Sequence, residues 1–309
     1  MTDFSSPRRM PYGGMHKPFA IGLSQLPLSQ WLEPDDELGR YLDEKTAHLK
    51  KDAENVFRAN EDTLPAQREA LSLISDHLAN NHADRFQRTG DRITTGSGHS
   101  VSLSDETIPP LMRAGLMIQD DLAILCKRGN EWHLAAGFIA FPSSWSLAEK
   151  AGRPMSGVHE TVPGFQAGTR NAKLVERIFD NLKPDLPAER FNWSFKGSPS
   201  LAMPPLKEVD GDPFRPVRPI AANFIRVERQ TLRRLPQTGA VLFTIRIYSD
   251  PLAVIARHKE AERIARAMMA QLQALTREER AYKGMTDSDV AALTAYLVKV
   301  STSTVEPSR

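Results

Sequence analysis

Residues Ile118–Phe165 read IQDDLAILCKRGNEWHLAAGFIAFPSSWSLAEKAGRPMSGVHETVPGF. Ile118–Cys126 is an apolar run interrupted by Asp120 and Asp121, which suits a strand. Lys127–Asn130 is charged and contains Gly, and Trp132–Phe141 is a second apolar run that stops at Pro142. Two such runs around a short polar turn predict an antiparallel hairpin. Beyond it, Ser146 and Glu149 have the spacing of a capping box ahead of a short helix that ends at Gly152. The chain then turns through Arg153-Pro154 into Val158-His159-Glu160. A histidine placed between two turn-forming stretches is the residue here most suited to chemistry.

A second pair of runs flanks Pro236-Gln-Thr-Gly239 within Asn223–Asp250, again a hairpin pattern. Val241, Phe243, Ile245 and Ile247 alternate onto one face. The partner run carries Arg226, Glu228, Arg229, Arg233 and Arg234. Physics alone slightly favours a charged edge strand. The competing reading is that some of these arginines bind an anion, with Glu228 orienting one of them.

Outward from these hairpins the expected elements are mostly helical. A lead punctuated by Pro and Gly, pinned by Trp31 and Leu32, precedes a helix capped by Asp35 or Asp36 and running to about Asn60. A second helix follows Pro65 with Ala70, Leu71, Ile74 and Leu78 inward. His48, His77 and His82 lie on these helices without an i, i+4 pair, and solvated or capping roles are expected for them. Residues 84–110 read as loop with one short strand. A helix is expected from about Thr169 to Leu182, a short strand at Phe191–Ser194, and a long ordered loop over the proline-rich 197–220. Pro251 opens a long helix to about Arg280, and a last helix spans roughly Ser288–Val300. The sum is an α+β chain of one domain: a helical part to about 83, a core over about 84–250, and C-terminal helices over about 251–300.

Composition narrows the function. The 309 residues carry a net charge of +2, so nothing global calls for nucleic acid or an acidic membrane surface. The single cysteine, Cys126, excludes internal disulfides, thiolate zinc sites and cysteine-ligated iron–sulfur clusters. No apolar run approaches the ~20 residues of a membrane span, and the basic N-terminus lacks the apolar core of a secretory signal. A cytoplasmic protein is expected. Thr95-Gly-Ser-Gly-His99 lacks the lysine of a phosphate loop and reads as a surface turn. There is no G-x-S-x-G elbow and no kinase set. A lone axial histidine on haem stays open, since such a site leaves little trace in spacing. Without C-x-x-C-H, any haem would be held non-covalently. Cys126 inside an apolar strand behaves as a small hydrophobe and ranks below His159 as a ligand.

The strings QDDLAIL, FPSSWSLAEKAGRPMSGVHETVPGF and RVERQTLRRLPQTGAVLFTIRIYSDPL, with PFAIGLSQL before Trp31, resemble the haem-dependent oxidative N-demethylase family, alpha-subunit type. The likeness runs from about residue 15 to 260. It implies a PAS-like fold, an antiparallel sheet flanked by helices, with additional N- and C-terminal helices and a non-covalent haem b. It further implies O2-dependent removal of a methyl group from a small secondary amine such as dimethylamine, releasing formaldehyde. Electrons would come from NADPH through a separate flavin and iron–sulfur reductase subunit, and a folate-binding subunit would capture the formaldehyde. PAS-like domains often pair, so a homo-oligomer is compatible with it.

Residue by residue, His159 matches the family's I-H-x-P-V-P motif as the proximal haem ligand, although Thr161 stands where the motif has proline. Arg226, Arg229 and Arg233 lie within a stretch that matches R-x-E-R-Q-T-L-x-R and are candidates for the haem propionates, which raises the anion reading above the edge-strand one. Asp120, Asp121 and Glu228 are candidate carboxylates for a cationic amine, each with an equally good structural role as a turn acceptor or an arginine partner. Trp145 is a candidate pocket wall or core anchor. Two other readings fit the same residues: a haem-binding sensor or storage module without turnover, and a haem-free anion-binding or assembly protein.

Overall fold

The structure is a computed structural model that describes residues 7–14, 19–203 and 216–302. It is α+β: a seven-stranded antiparallel sheet and a three-stranded sheet, flanked by helices. In chain order the elements are β1 (Ser24–Gln25), α1 (Leu38–Lys51), α2 (Ala53–Val56), β2 (Phe57–Ala59), α3 (Leu64–Asn81), β3 (Phe86–Thr89), β4 (Arg92–Thr95) and β5 (Ser100–Ser102). There follow α4 (Pro110–Gly115), β6 (Asp121–Arg128), β7 (Glu131–Phe138), α5 (Leu147–Lys150), α6 (Met155–Val158), α7 (Arg170–Asn181) and β8 (Ala188–Lys196). The chain ends with β9 (Phe224–Arg234), β10 (Val241–Pro251), α8 (Ala261–Gln273), α9 (Arg277–Tyr282) and α10 (Asp287–Thr302). The large sheet runs β1-β8-β9-β10-β6-β7-β2.

The chain divides into two compact units, and β8, β9 and β10 each run from one into the other. The larger comprises Leu23–Arg190 with Gln230–Arg246. Its centre is the β6–β7 hairpin, with Leu122 opposite Phe138 and Arg128 opposite Glu131. Gly129 at φ +61° makes the turn, a conformation that suits glycine. Helix α4 lies so close to β7 that a Cβ on Gly115 would stand 2.1 Å from the Phe138 ring. Ala123, Leu125, Trp132, Leu134, Leu147, Met155, Phe179, Leu232 and Val241 form one apolar cluster, and α7 joins it by Phe179 edge-on to Trp132. The smaller unit has its own core, in which Trp193, Phe195, Ile225 and Val227 pack with α8 and α10. There the Gln271 amide bridges the Trp193 indole to the Tyr12 and Gly14 carbonyls.

Several expectations are corrected. The first helix breaks at Asp52, whose carboxylate caps α2, and Phe57–Ala59 leaves the helix to pair with β7. Residues 84–110 hold a three-stranded sheet, not one strand. The arginine-rich strand β9 is interior, between β8 and β10, and not an edge. Ser146 makes no capping box, because its hydroxyl donates to Asn55 Oδ1 instead. The long C-terminal helix is instead a 3-10 stretch at Leu252–Arg257, then α8, then α9, which opens on a true capping box, Thr276 with Glu279. His77 is buried, not solvated. Within the proline-rich segment, 204–215 lies outside the described residues. Among the described residues no helix is long and apolar enough to cross a membrane.

Candidate functional site

His159 sits at the C-terminal end of α6, on a loop fastened to the edge of β7. The Gly152 N–H donates to the Leu134 carbonyl at 2.7 Å, and the Leu134 N–H donates to the Arg153 carbonyl at 3.0 Å. His133 Nδ1 meets the Gly152 carbonyl at 3.1 Å. Gly152 at φ +80° and Gly164 at φ +77° bracket the loop, each where a side chain would strain the backbone. Between them the His159 N–H donates to the Met155 carbonyl, and the Val162 N–H donates to the His159 carbonyl. The backbone around the imidazole is therefore held at several points.

The imidazole itself forms no hydrogen bond among the described residues; its ring lies 5.9 Å from that of Phe165. Desolvation, with Lys150 and Arg190 adding like charge, pushes its pKa down to about 4, so it is neutral at pH 7. A neutral ring nitrogen is what a metal ligand must offer. Lys150 Nζ donates to the Val158 carbonyl and lies 5.8 Å from the Trp145 ring centroid. Arg190, on β8, donates to Gln230 Oε1 of β9 at 3.2 Å. Glu160 does not serve His159: it is exposed and paired with Arg153 at 2.8 Å. Partly buried Leu23, Trp145, Val158, Val175, Ile178 and Phe243 border the apolar cluster in the same unit.

The arginines are not brought to one place. On β9 the side chains alternate: Arg226 reaches Glu228 on its own face, whereas Thr231 and Arg233 both meet Trp31 on the other. Arg226 and Arg229, both only 1% exposed, thus project to opposite faces. Arg226 donates to Glu228 at 3.3 Å and to the Leu201 carbonyl. Glu228 also accepts from Asn192 at 3.4 Å. Asp121 accepts the Ala140 and Phe141 N–H groups at 3.0 and 2.8 Å, the strand-end role considered for it. Asp120 is buried, its carbonyl accepting from the buried Lys45 ammonium. Burial raises the Cys126 thiol pKa, in keeping with an inert side chain.

Lys150 and Arg190 escaped the sequence analysis. Lys150 precedes His159 by nine positions across two turns, and Arg190 lies on a distant strand, so no periodicity links them. Among the described residues no three His, Cys, Asp or Glu side chains group to hold a bare metal ion. A single imidazole donor suits instead a group that brings its own remaining ligands, as a porphyrin does. An open depression of about 500 Å³ lies along α7, lined by Arg170, Lys173, Leu174 and Arg177; His159 is not among its lining residues.

A lone neutral imidazole set among two cations and apolar side chains, on an α+β sheet scaffold, defines a candidate haem-protein site. The sequence model of the family described as haem-dependent oxidative N-demethylase, alpha subunit-like, matches residues 22–293, and the chain belongs to that family. The match extends into α10, beyond the segments that carry the resemblance.

Proposed function

We propose that the chain binds haem b non-covalently through His159 and works as the oxygenase subunit of an oxidative N-demethylase. Its substrate would be a small secondary amine of the dimethylamine type, which with O2 yields formaldehyde. Electrons would arrive from an NADPH-dependent flavin and iron–sulfur reductase partner, and a folate-binding partner would take up the formaldehyde. The observation that carries this reading is the neutral His159 imidazole, without a protein hydrogen bond and beside two cations. When bound, the haem supplies the oxygen and electron chemistry. His159 would offer the iron a ring-nitrogen lone pair. Lys150 and Arg190, which are in electrostatic reach of His159, offer positive charge for the propionates. Trp145, Val158 and Phe165 supply apolar surface that excludes water. Arg226 and Arg229 remain propionate candidates by family resemblance, but their opposite faces mean that at most one meets a given macrocycle edge. Glu228, which pairs with Arg226, and the buried Asp120 stay candidate carboxylates for the amine.

The deciding test is the visible absorption spectrum of the purified, haemin-supplemented protein with and without His159→Ala. Loss of the Soret band, restored by added imidazole, supports the assignment. A band unaltered by the substitution removes His159 as the ligand. Reductase-coupled formaldehyde release across a set of secondary amines then separates a demethylase from a non-turning haem module.

A further inference from the structure

On the face of β9 opposite Gln230 lies a second group of functional side chains. The Arg233 guanidinium stacks on Trp31, its Cζ 4.3 Å from the ring centroid. His77, on α3, stands edge-on to the same indole at 5.4 Å, and His82 follows at 5.3 Å from His77. Arg233 is 9% exposed and His77 7%. Arg233 Nε, His77 Nε2 and His82 Nε2 are all buried without a hydrogen-bond partner. Among the described residues Arg233 forms neither an ion pair nor a hydrogen bond. Glu69 and Asp185 attract it only through space, and both Glu69 oxygens are taken by the Gln237 and Thr238 N–H groups and the Thr238 hydroxyl at 2.7–2.9 Å.

A buried guanidinium N–H without an acceptor is costly, and a buried imidazole N–H without one adds to that cost. Arg233 offers only donors, and His77 can present an N–H at Nε2, whereas His82 donates to the Leu32 backbone carbonyl and its open Nε2 is an acceptor. What Arg233 and His77 lack is a direct hydrogen-bond acceptor. We propose that Arg233 and His77, beside Trp31, form a binding site for a small monovalent anion, of halide to formate size. The Trp31 face fixes the guanidinium plane. This site is separate from the candidate haem ligand, since Gln230, the residue that reaches Arg190, points the other way from β9.

The test uses the full chain as purified. A crystal grown with sodium bromide should show an anomalous peak within hydrogen-bond distance of Arg233 Nε; a water or no density there overturns the proposal. At constant ionic strength, replacing gluconate by bromide or formate should raise the melting temperature saturably, as a ligand of the native state does. Arg233→Met should abolish that anion-dependent rise. A rise that persists in Arg233→Met, or no rise in the wild type, refutes the site. Should Arg233→Met fail to fold, His77→Phe and the bromide map on the unaltered chain carry the decision.

Discussion

Lys45 Nζ faces Asp121 Oδ1 at 3.9 Å, with both side chains cut off from solvent. The ammonium donates to the carbonyls of Gly115, Ile118 and Asp120, and lies 5.4 Å from the Phe138 ring centroid. One lysine on α1 thus ties together the end of α4 and the start of β6, while Asp121 holds the far end of β7. Lys45→Met leaves three carbonyls and a buried carboxylate short of a partner, so a loss of about 3 kcal/mol is expected. Urea denaturation of the variant measures it, and a change under 1 kcal/mol would mean that water replaces the ammonium.

The same lysine has a pH signature. Burial lowers its pKa from 10.5 to about 8 in the folded chain, against the pull of Asp121 and Asp120. Between pH 8 and 10.5 the unfolded state therefore binds more protons at this group, and its contribution to stability rises with pH. The stability difference between wild type and Lys45→Met should grow in the wild type's favour across that window. A flat difference would show that Lys45 titrates normally.

Lys150 and Arg190 are expected to retain cofactor without ligating it. Lys150→Met and Arg190→Met should each weaken haem affinity about tenfold, in keeping with the loss of one partly exposed charged contact. The Soret maximum should stay in place, since His159 is untouched. Haem titration and transfer to apomyoglobin measure the two quantities, and a moved maximum would imply that the cations act on the ligand itself.

Gly115→Ala gives a test of opposite sign to helix propensity. Alanine normally stabilises a helix by about 1 kcal/mol over glycine. Here the added methyl would lie 2.1 Å from Phe138, so the melting temperature should drop by several degrees. Gly115→Ala with Phe138→Leu should recover part of the loss.

What the sequence made legible was whatever depends on near neighbours. The β6–β7 and β9–β10 hairpins follow from apolar runs around Gly129 and Gly239, and α7 matches the helix expected from about Thr169, whose side chain caps it. Helix α3 buries Ala70, Leu71, Ile74 and Leu78 as its period requires. Hidden were features set by distant partners. Phe57–Ala59 continues a helical pattern, yet the edge of β7 claims it as a strand, with Phe57 opposite Phe138. Ser146 has capping spacing, but Asn55 takes its hydroxyl. Arginines signalled an edge in β9, whereas Trp31 and Glu228 give two of them places in its interior. His159 stood out between two turn-forming stretches, but Arg190 could be found near it only once β8 was placed.

The His159 loop takes its position from β7 at Gly152 and Arg153, and its ends are fixed by two left-handed glycines. An incoming macrocycle would therefore meet an imidazole already in register, and little chain entropy would be lost in capture. Apoprotein should accordingly refill quickly, with the encounter itself rather than loop ordering setting the pace.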